Sequence, residues 1–216
     1  IGDFDGLRTA YDTGTATLPD YRAQGLATRI FEHSLPHLRA AGVRQYLLEV
    51  LQHNAKAISV YRKLGFETTR EFDYFRQECP KLRLPVAPPL DLRDIDPAAA
   101  AACEAFRDFR PSWQNDTASV ARGIEELVAF AAFIENRPVG YCIAEPASGD
   151  IAQIAVDPPF RRRGIGTRLL ARAAEASRTG AVKIVNTESR CPSIAGFLAA
   201  RNIPRAGGQF EMIKKL

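Results

Sequence analysis

Residues 14 to 31 (GTATLPDYRAQGLATRIF) and residues 153 to 170 (QIAVDPPFRRRGIGTRLL) share one frame without a gap. Pro19, Tyr21, Arg22, Gly25, Ala27, Thr28 and Arg29 pair with Pro158, Phe160, Arg161, Gly164, Gly166, Thr167 and Arg168, each pair 139 residues apart. Such a block-wise match marks a duplicated structural unit, and it restricts the chain to folds that can be built twice. The residues after each block agree in pattern as well. Apolar residues at Leu26, Ile30, Phe31, Leu35 and Leu38 have a helical period through Ala41, with Pro36 expected to kink or weaken the last turn. Gly42 ends that helix, Arg44–Leu51 is expected as a strand, Ala55–Leu64 as a helix, and Phe66 opens another strand. The second repeat predicts helix Ile165–Ser177, strand Val182–Asn186, helix Ser193–Arg201 and strand Gln209–Lys214. The fold class is therefore α/β, an α+β mixed sheet.

Between the repeats, Pro80, Pro85, Pro88 and Pro89 predict a stiff, extended linker over residues 79–89. The domains expected are 1–78, the C-terminal half of a first repeat, and 90–216, a complete second one. The second repeat has a front half: a strand near Leu90–Arg93, helices over Pro97–Phe109 and Thr117–Glu126, and a hairpin of Val128–Ile134 and Val139–Glu145. The first repeat has about a dozen residues before its glycine loop and lacks that front half. A half-sheet cannot close a core alone, so the missing part lies elsewhere in a longer protein or the first repeat leans on the second. The chain begins with Ile1, without Met or signal peptide, as a fragment would.

Composition narrows the function. At 216 residues, 46% hydrophobic and 25% charged, the chain is ordinary globular protein with no apolar run of the ~20 residues a membrane helix needs. Cys79, Cys103, Cys142 and Cys191 form no CxxC pair, which argues against a zinc ribbon or dithiol redox motif and for a reducing, cytoplasmic setting. Three scattered histidines predict no metal site; His33 and His37 fit a solvated helix face. A net charge of +4 suits an anionic ligand and is too small to suggest nucleic acid.

A strand that ends in Pro-x-aromatic-Arg and turns through Gly into a helix presents unpaired N–H groups and the positive end of the helix dipole, a setting for phosphate. Gly25 and Gly164 allow close backbone approach, Ala27 and Gly166 keep the first turn uncrowded, and Arg22 and the Arg161-Arg162-Arg163 run add charge. Read singly, Arg-x-x-Gly-x-Ala is also a plain helix start; its recurrence favours a ligand loop. Neither loop carries the Gly-Lys-Ser/Thr of a P-loop or a GxGxxG.

These residues resemble the GNAT superfamily of acetyl-CoA-dependent N-acetyltransferases, whose signature is Arg or Gln, two residues, Gly, one residue, Gly or Ala, after a strand ending Val-x-Pro. The resemblance covers nearly the whole chain and implies a tandem GNAT acyl-CoA N-acyltransferase fold. It implies that the amides of Arg22, Ala23, Gln24, Gly25, Leu26, Ala27 and Thr28 hold the coenzyme A pyrophosphate, and that Thr15, Ala16 and Thr17 pair with the pantetheine arm. Arg161, Arg162, Arg163, Gly164, Ile165, Gly166 and Thr167, with Ile154, Ala155 and Val156, are the second set. LEVLQHNAKAISVYRKLGF (48 to 66) is similar to the second signature of ribosomal-protein alanine acetyltransferases. There the resemblance implies Glu49 as general base through water, Tyr61 as the acid that protonates the departing thiolate, and Asn54 as a pantetheine contact. Without the resemblance, Glu49 is a surface strand residue and Tyr61 a half-buried core aromatic; Asp12 is a weaker candidate base.

In the second repeat Leu198 falls at the position of Tyr61, Asn186 at that of Glu49 and Cys191 at that of Asn54. Leucine donates no proton and asparagine is no carboxylate base, so chemistry is expected in the first repeat, with Glu188 or Tyr141 as possible substitutes in the second. The expected function is acetyl transfer to a primary amine, small molecule or peptide, by direct attack on the thioester, in a monomer or weak homodimer without metal, nucleic acid or membrane. The alternative is a non-catalytic acyl-CoA-binding pseudo-enzyme or sensor. The alanine- and arginine-rich composition has a bacterial look, and the acceptor carries no motif.

Overall fold

The computed structural model describes residues 1–86 and 88–216; Ala87, inside the expected linker, lies outside the described residues. The chain runs β1 (Gly2–Phe4), β2 (Leu7–Asp12), α1 (Leu26–Ala40), β3 (Gln45–Leu51), α2 (Ala55–Lys63) and β4 (Glu67–Glu78). It continues with β5 (Asp91–Ile95), α3 (Pro97–Ala101), α4 (Thr117–Arg122), β6 (Val128–Ile134), β7 (Arg137–Glu145) and β8 (Asp150–Val156). Helix α5 (Ile165–Ala176), β9 (Ala181–Glu188), α6 (Pro192–Ala200) and β10 (Arg205–Lys215) complete it. The mixed α/β class holds.

The chain forms two compact units, residues 1–72 with 207–216 and residues 73–206. They differ from the expected 1–78 and 90–216 because the last strand of the second repeat joins the first unit, while the end of β4 joins the second. Sequence adjacency hides such a partition, since strand pairing is decided by contacts distant along the chain.

In the first unit the strand order is β1-β2-β3-β10-β4. A hairpin through Asp5 and Gly6, both at positive φ (56° and 69°), pairs Gly2 with Thr9 and Phe4 with Leu7. Strand β2 then runs parallel to β3 from Thr9↔Gln45 to Asp12↔Leu48, and β10 runs antiparallel to β3 from Gln209↔Leu51 to Lys215↔Gln45. Phe31 of α1 and Ile58 and Tyr61 of α2 pack with Leu48, Val50, Phe66 and Met212, so both helices cover one face of this sheet. Pro36 sits inside α1, which continues to Ala40 in spite of it.

In the second unit the order is β4-β9-β8-β7-β6-β5. Leu169 and Leu170 of α5 and Leu198 of α6 pack with Phe130, Val139 and Cys142 on one face. Ala100 and Ala101 of α3 and Val120 of α4 pack with Ala131, Tyr141 and Ile143 on the other. The hairpin β6–β7 turns on Glu135 and Asn136 alone, at φ 49° and 61°, tighter than the four-residue connection expected. The helices expected over Pro97–Phe109 and Thr117–Glu126 stop at Ala101 and Arg122. Arg107 turns back to donate to the Ala101 carbonyl, and Gly123 ends the second. An alanine run supplies propensity, but these tertiary bonds set where the helix stops.

Candidate functional site

The two glycine loops are the same structure built twice. Pro19–Tyr21 and Pro158–Phe160 each form one 3-10 turn. Ala23 and Arg162 come next at φ 62° and 63°, then Gly25 and Gly164 at φ 72° and 83° as the residues before α1 and α5. The bonds repeat too. Arg22 Nε donates to the Thr17 carbonyl at 3.1 Å and Arg161 Nε to the Val156 carbonyl at 2.9 Å. Arg29 N–H donates to Gly25 at 3.0 Å and Arg168 N–H to Gly164 at 3.1 Å, opening each helix.

No side chain caps Gly25 or Gly164. The amides ahead of those first helical bonds have no residue four positions back in the helix to bond, and they point out of the N-terminus with the dipole. At Gly25 even an added Cβ would meet nothing within 4 Å, so the cradle is open to a phosphate. The glycines are required for their left-handed φ rather than for clearance alone. The loop arginines differ from expectation in role. Arg22 ties the loop to Thr17 ahead of it and Arg161 ties it to the end of β8, and Arg161 also pairs with Asp108 at 2.6 Å. Arg162 and Arg163 are exposed, with Arg163 over the Phe160 ring at 5.2 Å. The Thr167 hydroxyl is taken by Arg201 at 3.0 and 2.7 Å, and Ile165 is buried in the core, so only their backbones face the loop. Gly166 packs closely: a Cβ there would stand 3.2 Å from the Phe197 ring, which would have to give way slightly.

The strand ends differ between repeats. Ile154, Ala155 and Val156 lie in β8, paired with Cys142, Tyr141 and Gly140 of β7, while β8 meets β9 in register at Asp150↔Lys183 near its start. Beyond, the strands diverge around a cleft lined by Arg107, Asn115, Gln153, Ile154, Asn186 and Thr187. In the first repeat the ladder between β2 and β3 ends at Asp12↔Leu48, and Thr15, Ala16 and Thr17 lie in no strand.

Glu49 and Tyr61 stand on opposite sides of the first sheet. Strand alternation puts Tyr46, Leu48 and Val50 on the helix side and Leu47 and Glu49 on the other. Tyr11 Oη donates to Glu49 Oε2 at 2.7 Å, and Glu211 is directly opposite Glu49 on β10, its own carboxylate held by Arg70 at 2.6 Å. Tyr61 is on the helix side, its ring 5.6 Å from Phe31 and 5.9 Å from Phe66. Burial, and then the Asp12 charge, push its phenol above the ordinary range. Tyr46 is pushed up to about 12 by burial first and Asp12 second. Asn54 caps α2, its Oδ1 accepting from Ala57 N–H at 3.2 Å. Sequence reasoning missed Asp108 and Arg201; their partners lie on other elements, and no local pattern reports such contacts.

In the second repeat Leu198 is fully buried, and Asn186 is buried with its Nδ2 on Ser112 Oγ at 3.1 Å. Tyr141 is no free acid: it donates to Gln153 Oε1 and accepts from Arg107 Nε, both at 2.9 Å, and burial raises its pKa. Among the described residues no group of three or more metal-ligating side chains gathers, and no helix is long and apolar enough to cross a membrane.

The sequence profile of the acetyltransferase (GNAT) family matches residues 2–66 and again 98–202. A ribosomal protein bS18-alanine N-acetyltransferase of Escherichia coli is 37% identical over 75 residues, 32% of this chain and 51% of that protein. A mycothiol acetyltransferase of Acidimicrobium ferrooxidans is 27% identical over 186 residues, 70% of this chain and 56% of that protein. The chain thus spans about half the length of the curated relatives it matches. A tandem GNAT protein from the clavulanic acid biosynthesis pathway shares the fold at TM-score 0.72 and 18% identity, over 98% of this chain and 76% of that one. A GCN5-related N-acetyltransferase from Sphaerobacter thermophilus does so at 0.65 and 19%, over 91% and 70%. With two profile matches covering most of its length, the chain belongs to the acetyltransferase (GNAT) family as a tandem member.

Proposed function

We propose that the chain transfers an acetyl group from acetyl-CoA to a primary amine, with the chemistry in the first repeat. One observation carries this reading: a carboxylate and a phenol flank the first sheet from opposite sides, Glu49 one residue beyond the last β2–β3 pair, in the repeat whose glycine loop is open. The Gly25 cradle suits the pyrophosphate, and residues 15–17, in no strand, leave backbone groups for the pantetheine arm.

Attack on a thioester needs an uncharged amine on one side of the carbonyl and a proton for sulfur as it leaves. Glu49, oriented by Tyr11, takes a proton from the incoming ammonium through water. Once that proton has passed to solvent, the amine lone pair forms the C–N bond, the C–S bond breaks and the Tyr61 phenol gives its proton to the thiolate; the second proton leaves the nitrogen through the same water to Glu49 as the amide forms, and the tyrosinate regains a proton from solvent. The products are amide and free thiol. A phenol held above its ordinary pKa stays protonated at neutral pH, as an acid must. The relatives are named for the alanine of a ribosomal protein and for mycothiol, and the Glu49 carboxylate suits a cationic acceptor of either kind. The second repeat, with Leu198 and Asn186 at the two key positions, is read as a binding or structural copy. Thiol release on adding amines to protein and acetyl-CoA tests the enzyme against the alternative of a pure acyl-CoA binder, which would bind and release nothing.

A further inference from the structure

We propose that Asp12 is a positioning residue of the first repeat, which clamps the donor-arm segment after β2 and shares the helix side of the sheet with Tyr61. The inference rests on the reading of Tyr61 as the acid. Asp12 is the last residue of β2 and the last to pair with β3, opposite Leu48 and on the same side as Tyr46. Its carboxylate gathers the next few residues of the chain: Thr15 Oγ1 donates to both oxygens, at 3.1 and 3.0 Å, and Gly14 N–H donates at 3.3 Å.

The second repeat holds the same stretch by other means. There the corresponding segment is an inner strand, Ile154–Val156, tied residue by residue to β7. The position matching Asp12 is Ile151, 2% exposed in the core. In the first repeat, β1 pairs with β2 only as far as Thr9, and residues 13–18 belong to no strand. A carboxylate stands where the other repeat keeps an aliphatic group.

That carboxylate also bears on the acid. From β2, Asp12 raises both phenols; from β3, Tyr46 stands beside Tyr61; from α1, the Ser34 hydroxyl lowers the Tyr46 phenol in part and the Phe31 ring packs on Tyr61. The Phe66 ring closes the side beyond α2. A negative charge within this apolar surround disfavours a second one on the phenol, so Tyr61 keeps the proton that the thiolate requires. The candidate base thus acts as a clamp and a field, on the side away from Glu49.

The test uses the full chain with Asp12→Asn and Thr15→Val. The Tyr61 titration is read from tyrosinate absorbance as the difference between each protein and its Tyr61→Phe counterpart, and coenzyme A affinity by calorimetry. Asp12→Asn is expected to move the Tyr61 titration to lower pH and to weaken coenzyme A about tenfold, as loss of a charged hydrogen bond does. Thr15→Val is expected to weaken coenzyme A and leave the titration in place. If Asp12→Asn does not fold, Asp12→Glu must keep the raised titration and lose affinity. A Tyr61 titration unmoved by loss of the Asp12 charge, or parental affinity in both clamp variants, overturns the proposal. Coenzyme A binding without thiol release defeats the catalytic reading alone; turnover with an unmoved titration defeats this inference alone.

Discussion

At the scale of single residues, the site depends on which side of a strand each group faces. Glu49 and Tyr61 stand twelve positions apart in sequence, and their opposed placement results from strand alternation in β3 and the packing side of α2. Tyr46, on the helix side, carries a prediction of its own. Its phenol is pushed up to about 12 in the folded protein against an ordinary 10.0. The folded state therefore holds a proton that the unfolded chain releases, so stability is kept below pH 10 and falls as pH rises toward 12. Chemical denaturation across that window should show the fall, and Tyr46→Phe should make it shallower; an equal slope in both proteins would contradict the burial assigned to Tyr46. Glu49 and Tyr61 are singled out by a local signature, and strand alternation decides the side that Glu49 faces. The contacts of Asp12 are not legible in this way, since they depend on a register with Leu48 and on a helix face that no spacing encodes.

At the scale of elements, the glycine loop is a conformational sequence that the chain writes twice: 3-10 turn, positive φ, positive φ, helix. It was legible because glycine and proline placement specify backbone angles directly. The helix after the loop adds a packing rule. Gly166 lies against Phe197, whereas the first repeat has Ala27 at the matching position and Val60 in place of the phenylalanine. A small residue on one helix is matched by a large one on the next. Gly166→Ala should destabilise the protein by about 1–3 kcal/mol, the usual effect of overpacking, and Phe197→Val in the same chain should recover part of it. Thermal denaturation of the three variants checks this, and a double variant less stable than Gly166→Ala would refute the pairing. The short helices α3 and α4 were overestimated for the complementary reason: an alanine-rich stretch promises a helix, and a bond from Arg107 decides where it ends.

At the scale of the molecule, sequence repeats and compact units do not coincide, because residues 207–216 belong with residues 1–72. Strand β10 supplies Met212, fully buried, and Glu211, bonded to Arg70 and Thr69, to the first unit. The sequence announces two repeats but not this pairing, which joins residues far apart along the chain. Met212→Ala should cost about 2–5 kcal/mol of stability; wild-type melting in that variant would show that β10 is dispensable to the first core. Whether the first repeat performs the transfer is decided by acetyl-CoA-dependent thiol release. It is measured over a panel of primary amines, for the parent and for the Glu49→Gln, Tyr61→Phe double variant. The parent should turn over at least one amine, and the double variant should lose about 100-fold or more while acetyl-CoA still binds. Undiminished turnover in the double variant would move the chemistry out of the first repeat.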